Sequence, residues 1–326
     1  MCVAAAPARF SGTILYHGRR EHPEHGLVHV LGYQNTAANL ASGPNAMLLH
    51  LPAIGMTRRN FIDTSECPRV LRDMVDAVNP PLAAPAGPGY GGPPAGGPPP
   101  VQIFDHDIYT VVLATNAALI PEALQSVPEH RRIAPNRPLF DFYAAMYPGH
   151  AIALCCFDNR AARAANPLLM WYTPQRPEVS ALPAIDCHTG AVPDLSAHVR
   201  LDHWVILGTD EAPPGWGVPV RYSAFHRPGG PPTMPGPPVS GPPPVSGPPM
   251  PGPPPVPGRV SAPVPVPPPG PPGPSGPVAA FLPDRVIGRR FDGMLPNGDF
   301  EIAREHLLRG DLRWVQRSRP GWALPL

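Results

Sequence analysis

The chain has 326 residues, 56 of them Pro and 32 Gly, so that about 27% of positions interrupt regular structure and much of the sequence cannot be packed core. All 25 basic residues are Arg; the absence of Lys removes P-loop, Schiff-base, pyridoxal-phosphate and Ser-Lys chemistry. A net charge of +1 with no clustered basic face excludes nucleic-acid binding by bulk electrostatics.

Pro and Gly concentrate in two tracts, 79–100 with 9 Pro and 6 Gly, and 228–277 with 25 Pro and 10 Gly. They divide the chain into a first part of a globular body (1–78), a Pro/Gly-rich loop (79–100), a second part of the body (101–227), a Pro-rich tract (228–277) and a C-terminal segment (278–326) that packs back on the body. That last segment is too small to be stable alone.

In chain order, Phe10 to Tyr16 and Leu27 to Tyr33 show the period of strands, joined by a polar connection from His17 to Gly26. A third strand runs from Ala46 to Leu51. Between Ser65 and Val78 the period becomes helical, with Val70, Leu71, Met74, Val75 and Val78 on one face, Ser65 as N-cap and Asn79-Pro80-Pro81 as the stop.

The second block opens with a strand from Ile108 to Thr115, then a short helix near Glu122 to Val127 and a stronger one from Leu139 to Tyr147. Five strand patterns follow: His150 to Phe157, Leu168 to Tyr172, Val179 to Ile185, Val199 to Leu207 and Val218 to Phe225. The last block predicts a strand near Arg285 to Ile287, a turn at Pro296-Asn297-Gly298 and a helix from Asp299 to about Leu308, which Gly310 caps. About nine strands against about four short helices give an α+β class with a sheet-dominated core. Regular strand–helix alternation, the mark of a doubly wound parallel sheet, is missing.

The tract 228–277 has no aromatic residue and a single charge, Arg259, too little to bury against the entropy of ordering. Its composition predicts disorder with polyproline II character, a segment able to extend on the order of 100 Å at about 3.1 Å per residue. Only Gly270, Gly273 and Gly276 keep a period of three, far short of a collagen repeat. Overlapping Pro-x-x-Pro runs point to a polyproline-recognising protein as partner.

Five cysteines, Cys2, Cys67, Cys155, Cys156 and Cys187, have no framework spacing and read as free thiols of a soluble, cytoplasmic protein. No basic n-region with a signal-peptide core, and no apolar run of membrane-spanning length, is present, so a membrane role is not expected.

Two constellations carry possible chemistry. Removal of Met1 leaves Cys2 at the terminus, where its own α-amine serves as base for the thiol. This Met-Cys start resembles the N-terminal-nucleophile hydrolases and glutamine amidotransferases, and the resemblance implies amide hydrolysis at Cys2 in a layered α/β body, with Asn297-Gly298 as an oxyanion-hole element. Residues 3–7, Val-Ala-Ala-Ala-Pro, depart from the Gly-rich continuation of the amidotransferases. The second is His17, His22, His25 and His29, four imidazoles suited to zinc, copper, nickel or iron, although their spacing matches no strong metal signature. No cofactor motif is present. Asp186-Cys187-His188, Asp202-His203 and Asp105-His106-Asp107 read as strand-edge groups, because neighbours on a strand face opposite ways. Cys155-Cys156 read as buried thiols.

Overall fold

The computed structural model describes residues 3–80, 100–158, 165–223 and 278–318. The elements are β1 Val3–Ala4, β2 Ala8–His22, β3 Gly26–Asn39, β4 Asn45–Leu51, β5 Ala53–Ile54, β6 Phe61–Ile62 and α1 Val70–Val78. Then come β7 Val101–His106, β8 Tyr109–Ala114, α2 Ile120–Ala123, α3 Arg137–Met146, β9 Ala151–Phe157, β10 Leu168–Pro174, β11 Val179–Leu182, β12 His198–Thr209 and β13 Val218–Pro219. Last are β14 Arg285–Pro296, β15 Asp299–Ala303, α4 Arg304–Leu308 and β16 Gln316–Ser318. The sheet-dominated α+β class holds, with more strands than the sequence pattern counted.

The strands form an eight-stranded sheet in the order β13-β14-β12-β2-β3-β10-β5 with β6 also on β10, a five-stranded sheet β1-β4-β9-β8-β7, and a three-stranded sheet β11-β15-β16. Pairing is antiparallel except between β12 and β2. Three apolar clusters follow from the two-residue period of the strands. Leu15, Leu31, Met47, Leu49, Val111, Cys155, Met170 and Val205 meet between the two large sheets. On the outer face of the five-stranded sheet, Leu48, Val112, Leu154 and Cys156 receive Phe140 and Tyr143 of α3. On the outer face of the eight-stranded sheet, Tyr16, Val30, Leu169 and Ile206 receive Val70, Leu71 and Met74 of α1. The layers therefore run helix, sheet, sheet, helix.

Gly32 permits the contact of α1 with the eight-stranded sheet, since a Cβ there would stand 2.7 Å from the Leu71 methyl and 3.0 Å from the Tyr16 Cβ. Full exclusion of Leu71 and Met74 from solvent contributes roughly 2 kcal/mol each, the usual scale for such side chains.

Several boundaries differ from the sequence reading. The polar stretch His17 to Gly26 is strand on both sides of a turn at Pro23-Glu24-His25: β2 runs to His22 and pairs with β3 from Gly26 onward. His17 and Arg19 occupy inward positions there, which conceals the apolar alternation. Helix α1 begins at Val70, not Ser65. Asp63 Oδ1 instead accepts the Ser65 amide at 2.9 Å, and the Thr64 carbonyl accepts the Cys67 amide, folding 63–67 into turns.

Asp299 to Ala303 is a strand between β11 and β16, because Phe300 and Ile302 alternate into the core while Asp299 and Glu301 face the other side. The helix is limited to α4, and Gly310, at φ +70°, donates its amide to Leu307 O and closes it as expected. Strand β7 had no apolar signal of its own, and the strand expected to run from Val218 to Phe225 is limited to β13 among the described residues. Strand β14 is twelve residues long and pairs with β12 throughout. Among the described residues no helix is long and apolar enough to cross a membrane.

Candidate functional site

The described residues end at Ser223 and resume at Val278, on either side of the long Pro-rich tract, and the two flanks are knitted to each other. Val218 and Pro219 of β13 pair with Val286 and Arg285 of β14, Pro219 lying on the outer strand of that sheet, where a missing N–H is tolerated. Beyond the strands, the Val220 amide donates to Asp284 O at 2.9 Å and the buried Tyr222 hydroxyl donates to Pro283 O at 2.7 Å. The Arg285 guanidinium donates to the carbonyls of Trp216 and Gly217. These contacts hold residues 216–222 against residues 283–286, on either side of the tract.

Each flank is also tied to the layer that carries α1. Asp73 Oδ2 accepts from both the amide and the hydroxyl of Ser223, at 2.8 and 2.9 Å. Burial pushes the Asp73 carboxyl up, against the opposing pull of Ser223 and of Arg69. On the returning side, Arg20 donates to the carbonyls of Ala280 and Leu282 and is held by Asp210 at 3.0 Å. Phe281 stacks on His22 (4.7 Å between centroids), His22 on His25 (4.5 Å) and His25 on Trp171 (4.2 Å), all within 16° of parallel.

That ladder places two of the four histidines that the sequence offered as metal ligands. The other two, His17 and His29, lie on the opposite face of the β2–β3 hairpin, edge to face at 4.6 Å. The residue spacing that divides them is the strand period: in β2 beyond its bulge at Ser11–Ile14, and in β3, odd positions face the inter-sheet core, and His22 faces α1's side. Among the described residues no group of three or more His, Cys, Asp or Glu side chains is placed to hold a metal ion. Burial, and then their mutual repulsion and Arg19, drive His17 well below its ordinary value; burial and Arg19 bring His29 down to about 4.

Cys2 lies outside the described residues, as do 81–99 and 224–277 of the two tracts. Strand β1 begins directly after Cys2; Val3 bridges to Cys187, and the Ala4 amide donates to Cys187 O. In that neighbouring segment His188 Nε2 stands 2.9 Å from Asp186 Oδ1 and its ring meets Phe10 edge-on, while Cys187 Sγ faces Thr189 and Ala191. Asn297 is 1% exposed and its amide group is spent: Oδ1 accepts the Asp186 amide, and Nδ2 donates to Asp186 O and Asp194 O. The Asn297 side chain thus has no amide hydrogen left for an oxyanion. Cys155 and Cys156 are buried on opposite faces of β9, and burial raises Cys67 and Cys156 to about 12, holding both as thiols.

One polar network went unread in the sequence. Asp299 Oδ2 accepts from His50 Nε2 at 3.0 Å and from the Tyr147 hydroxyl at 2.6 Å, and Oδ1 accepts the Ala184 amide at 2.8 Å. His50 stacks on Tyr147 with 3.7 Å between centroids. Burial alone would raise the Asp299 carboxyl, but His50, Tyr147 and Ala184 outweigh it and bring it down to about 2. A His inside the otherwise apolar run Ala46 to Leu51 was the signal, since a buried imidazole calls for a partner.

No family model matches the chain, and no curated protein matches it. Among solved structures, the crystal structure of baculovirus P35 is similar with a TM-score of 0.40 and 12% identity, over 64% of this chain and 67% of that one. A 2.7 Å crystal structure of a mutated baculovirus P35 after caspase cleavage is similar with a TM-score of 0.36 and 12% identity, over 61% and 66% of the two chains.

Proposed function

We propose that the chain is a presentation scaffold, a sheet body that holds the Pro-rich tract 228–277 as a closed loop for a polyproline-recognising partner. The observation that carries this is the knitted base: β13 on β14, Val220 on Asp284 and Tyr222 on Pro283. A spacer between independent parts needs separated ends; a displayed segment is served by ends fixed together, which shortens the reach of the loop and raises the local concentration of its overlapping Pro-x-x-Pro runs. Polyproline II segments bind aromatic-lined grooves with little further ordering, and a closed base leaves that advantage intact. The described cysteines are free thiols, which suits a cytoplasmic setting.

The test replaces 228–273 with a short Gly-Ser linker and titrates purified SH3 and WW domains against both chains. The full chain binds at least one of these domains, and the excised chain binds none while keeping its thermal transition. Binding that survives excision, or no binding by the full chain, overturns the proposal.

A second reading, amide hydrolysis by an N-terminal Cys2, has one observation in its favour: β1 starts at Val3 and is bridged to the segment that carries the close Asp186–His188 pair. Glutamine hydrolysis lost in Cys2→Ala supports it. A wild-type chain without amidase activity, or activity retained in the variant, disposes of it.

A further inference from the structure

Strand β7 ends the five-stranded sheet, and the strand beside it fixes which way its backbone groups point. The Thr115 amide donates to Pro100 O at 3.3 Å. Facing pairs of an antiparallel ladder alternate between hydrogen-bonded and open, so Gln102–Leu113, Phe104–Val111 and His106–Tyr109 are the bonded ones. The last of these closes the two-residue turn Asp107-Ile108, as a tight hairpin requires. The amides and carbonyls of Val101, Ile103 and Asp105 therefore point away from β8, to the side where no described strand follows.

The other terminal strands give a neighbour little to pair with. β1, β5, β6, β11, β13 and β16 run for two to four residues, and Pro219 of β13 has no amide to offer. Past the residues that β13 covers, β14 shows exposed Arg289, Arg290 and Asp292, and its backbone turns to φ +124° at Gly293. Short strands, charges and irregular backbone are the devices that keep sheet edges apart. Strand β7 is six residues long, in continuous register with β8 and without Pro. Its exposed charge, Asp105, is held over β8: Oδ1 accepts from the Thr110 hydroxyl at 2.7 Å and from Arg131 at 3.1 Å. Val101 and Ile103, half-buried against the cluster that α3 covers, and Phe104 on the inter-sheet side carry apolar surface up to the edge.

We propose that β7 is an interface between two copies of the chain, paired antiparallel across a two-fold axis at Ile103. The edge is its own complement. Its outward residues are spaced by two, so each donor meets an acceptor of the other copy, giving about six backbone hydrogen bonds, two for each facing pair. Charge agrees with this register: Asp105 falls opposite Val101 of the partner subunit, which keeps the two carboxylates apart, and the two Ile103 side chains meet beside the axis as an apolar cross-strand pair. Moving the axis to Gln102 or to Phe104 loses one facing pair. The two five-stranded sheets become one continuous sheet, and both open edges are removed.

The experiment follows the full chain by light scattering from about 1 to about 100 µM, because mass action makes assembly depend on concentration. Residue-resolved amide exchange is measured at both ends of that range. A dimer forms, and the amides of Val101, Ile103 and Asp105 exchange about tenfold or more slower at the upper concentration, while those of Gln102 and Phe104, bonded to β8, are protected at both. Ile103→Pro removes an amide that β8 does not use, and Ile103→Lys sets like charges face to face. Each weakens dimerisation by about tenfold or more, the scale of one hydrogen bond lost from each copy. The exchange of the unaltered chain decides even where a variant fails to fold. A monomer throughout leaves the edge to a foreign strand, and protection of the same three amides in the monomer assigns it to another segment of the same chain; either overturns the proposal. So does a dimer in which these amides exchange as fast as in the monomer, or one unchanged in both variants.

Discussion

His17 and His50 are 0% and 5% exposed, and the protein accommodates them in opposite ways. His50 shares Asp299 with Tyr147 and backbone amides, so a carboxylate stands ready to balance the imidazole. His17 has His29 and Arg19 beside it, and no carboxylate is among the groups that shift it. Burial forces that pair to remain neutral, while around Asp299 the same burial is overcome by partners. What burial does to a polar group thus depends on what the neighbouring strand delivers to it. Strand β15 delivers an acid; β3 delivers a second base.

The sharpest break of this contrast is Asp299→Ala. It leaves His50, Tyr147 and two backbone amides without their shared acceptor, and losing one partner of a buried charged network costs about 3–5 kcal/mol. A urea midpoint at pH 7 shifted by less than the equivalent of about 1 kcal/mol shows that Asp299 is no anchor. In the wild-type chain its contribution is complete above the ordinary Asp value of 3.8 and is lost as pH falls through about 2, so the Asp299 carboxylate itself does not respond between pH 5 and 7.

The neutral pair does respond in that window. An unfolded His takes its proton near 6.5, whereas folded His29 takes it only near 4, as does His150, which burial and His50 lower. The unfolded chain therefore gains protons first as pH falls. Stability is full above about 6.5 and declines until about pH 4, by up to roughly 3 kcal/mol for each of these two groups, since one pKa unit is about 1.4 kcal/mol. Denaturant melts at pH 7, 6 and 5 check this, and His29→Leu flattens the decline. An identical slope in that variant removes His29 from the account.

How much of this was legible follows from the same two regions. The strand patterns at Leu27 to Tyr33 and Ala46 to Leu51 were readable, because apolar residues dominate both runs, broken only by His29, Gly32 and His50. The run His17 to His22 read as a loop since its inward positions are His17 and Arg19, which only a partner strand's geometry makes tolerable. Asp299 read as the start of a helix because Asn297-Gly298 marks a turn and Glu301 to Leu308 suits either period. Only the pairing with β11 and β16 decides for a strand. The acceptor of His50 stands 249 residues away in sequence, a distance no local pattern spans.

The contrast between the two clusters gains its lower limit at the base of the Pro-rich loop. The Tyr222 hydroxyl is as buried as either histidine, at 2% exposure of the residue, but it is neutral and donates to Pro283 O. Tyr222→Phe removes this neutral hydrogen bond and strands the Pro283 carbonyl, a loss of about 1 kcal/mol. In a body of this size that is a shift in Tm of about 2–4 °C. The more telling readout is local. Val220 donates to Asp284 beside this bond, so amide exchange at Val220 accelerates in Tyr222→Phe if the flanks are held together at this point. Exchange that accelerates at Val220 while β12 and β2 keep their protection marks an opening of the loop's base alone. Unchanged exchange at Val220 moves the closure to the β13–β14 pairing and the Arg285 guanidinium contacts, and the base is then fixed without the Tyr222 hydroxyl.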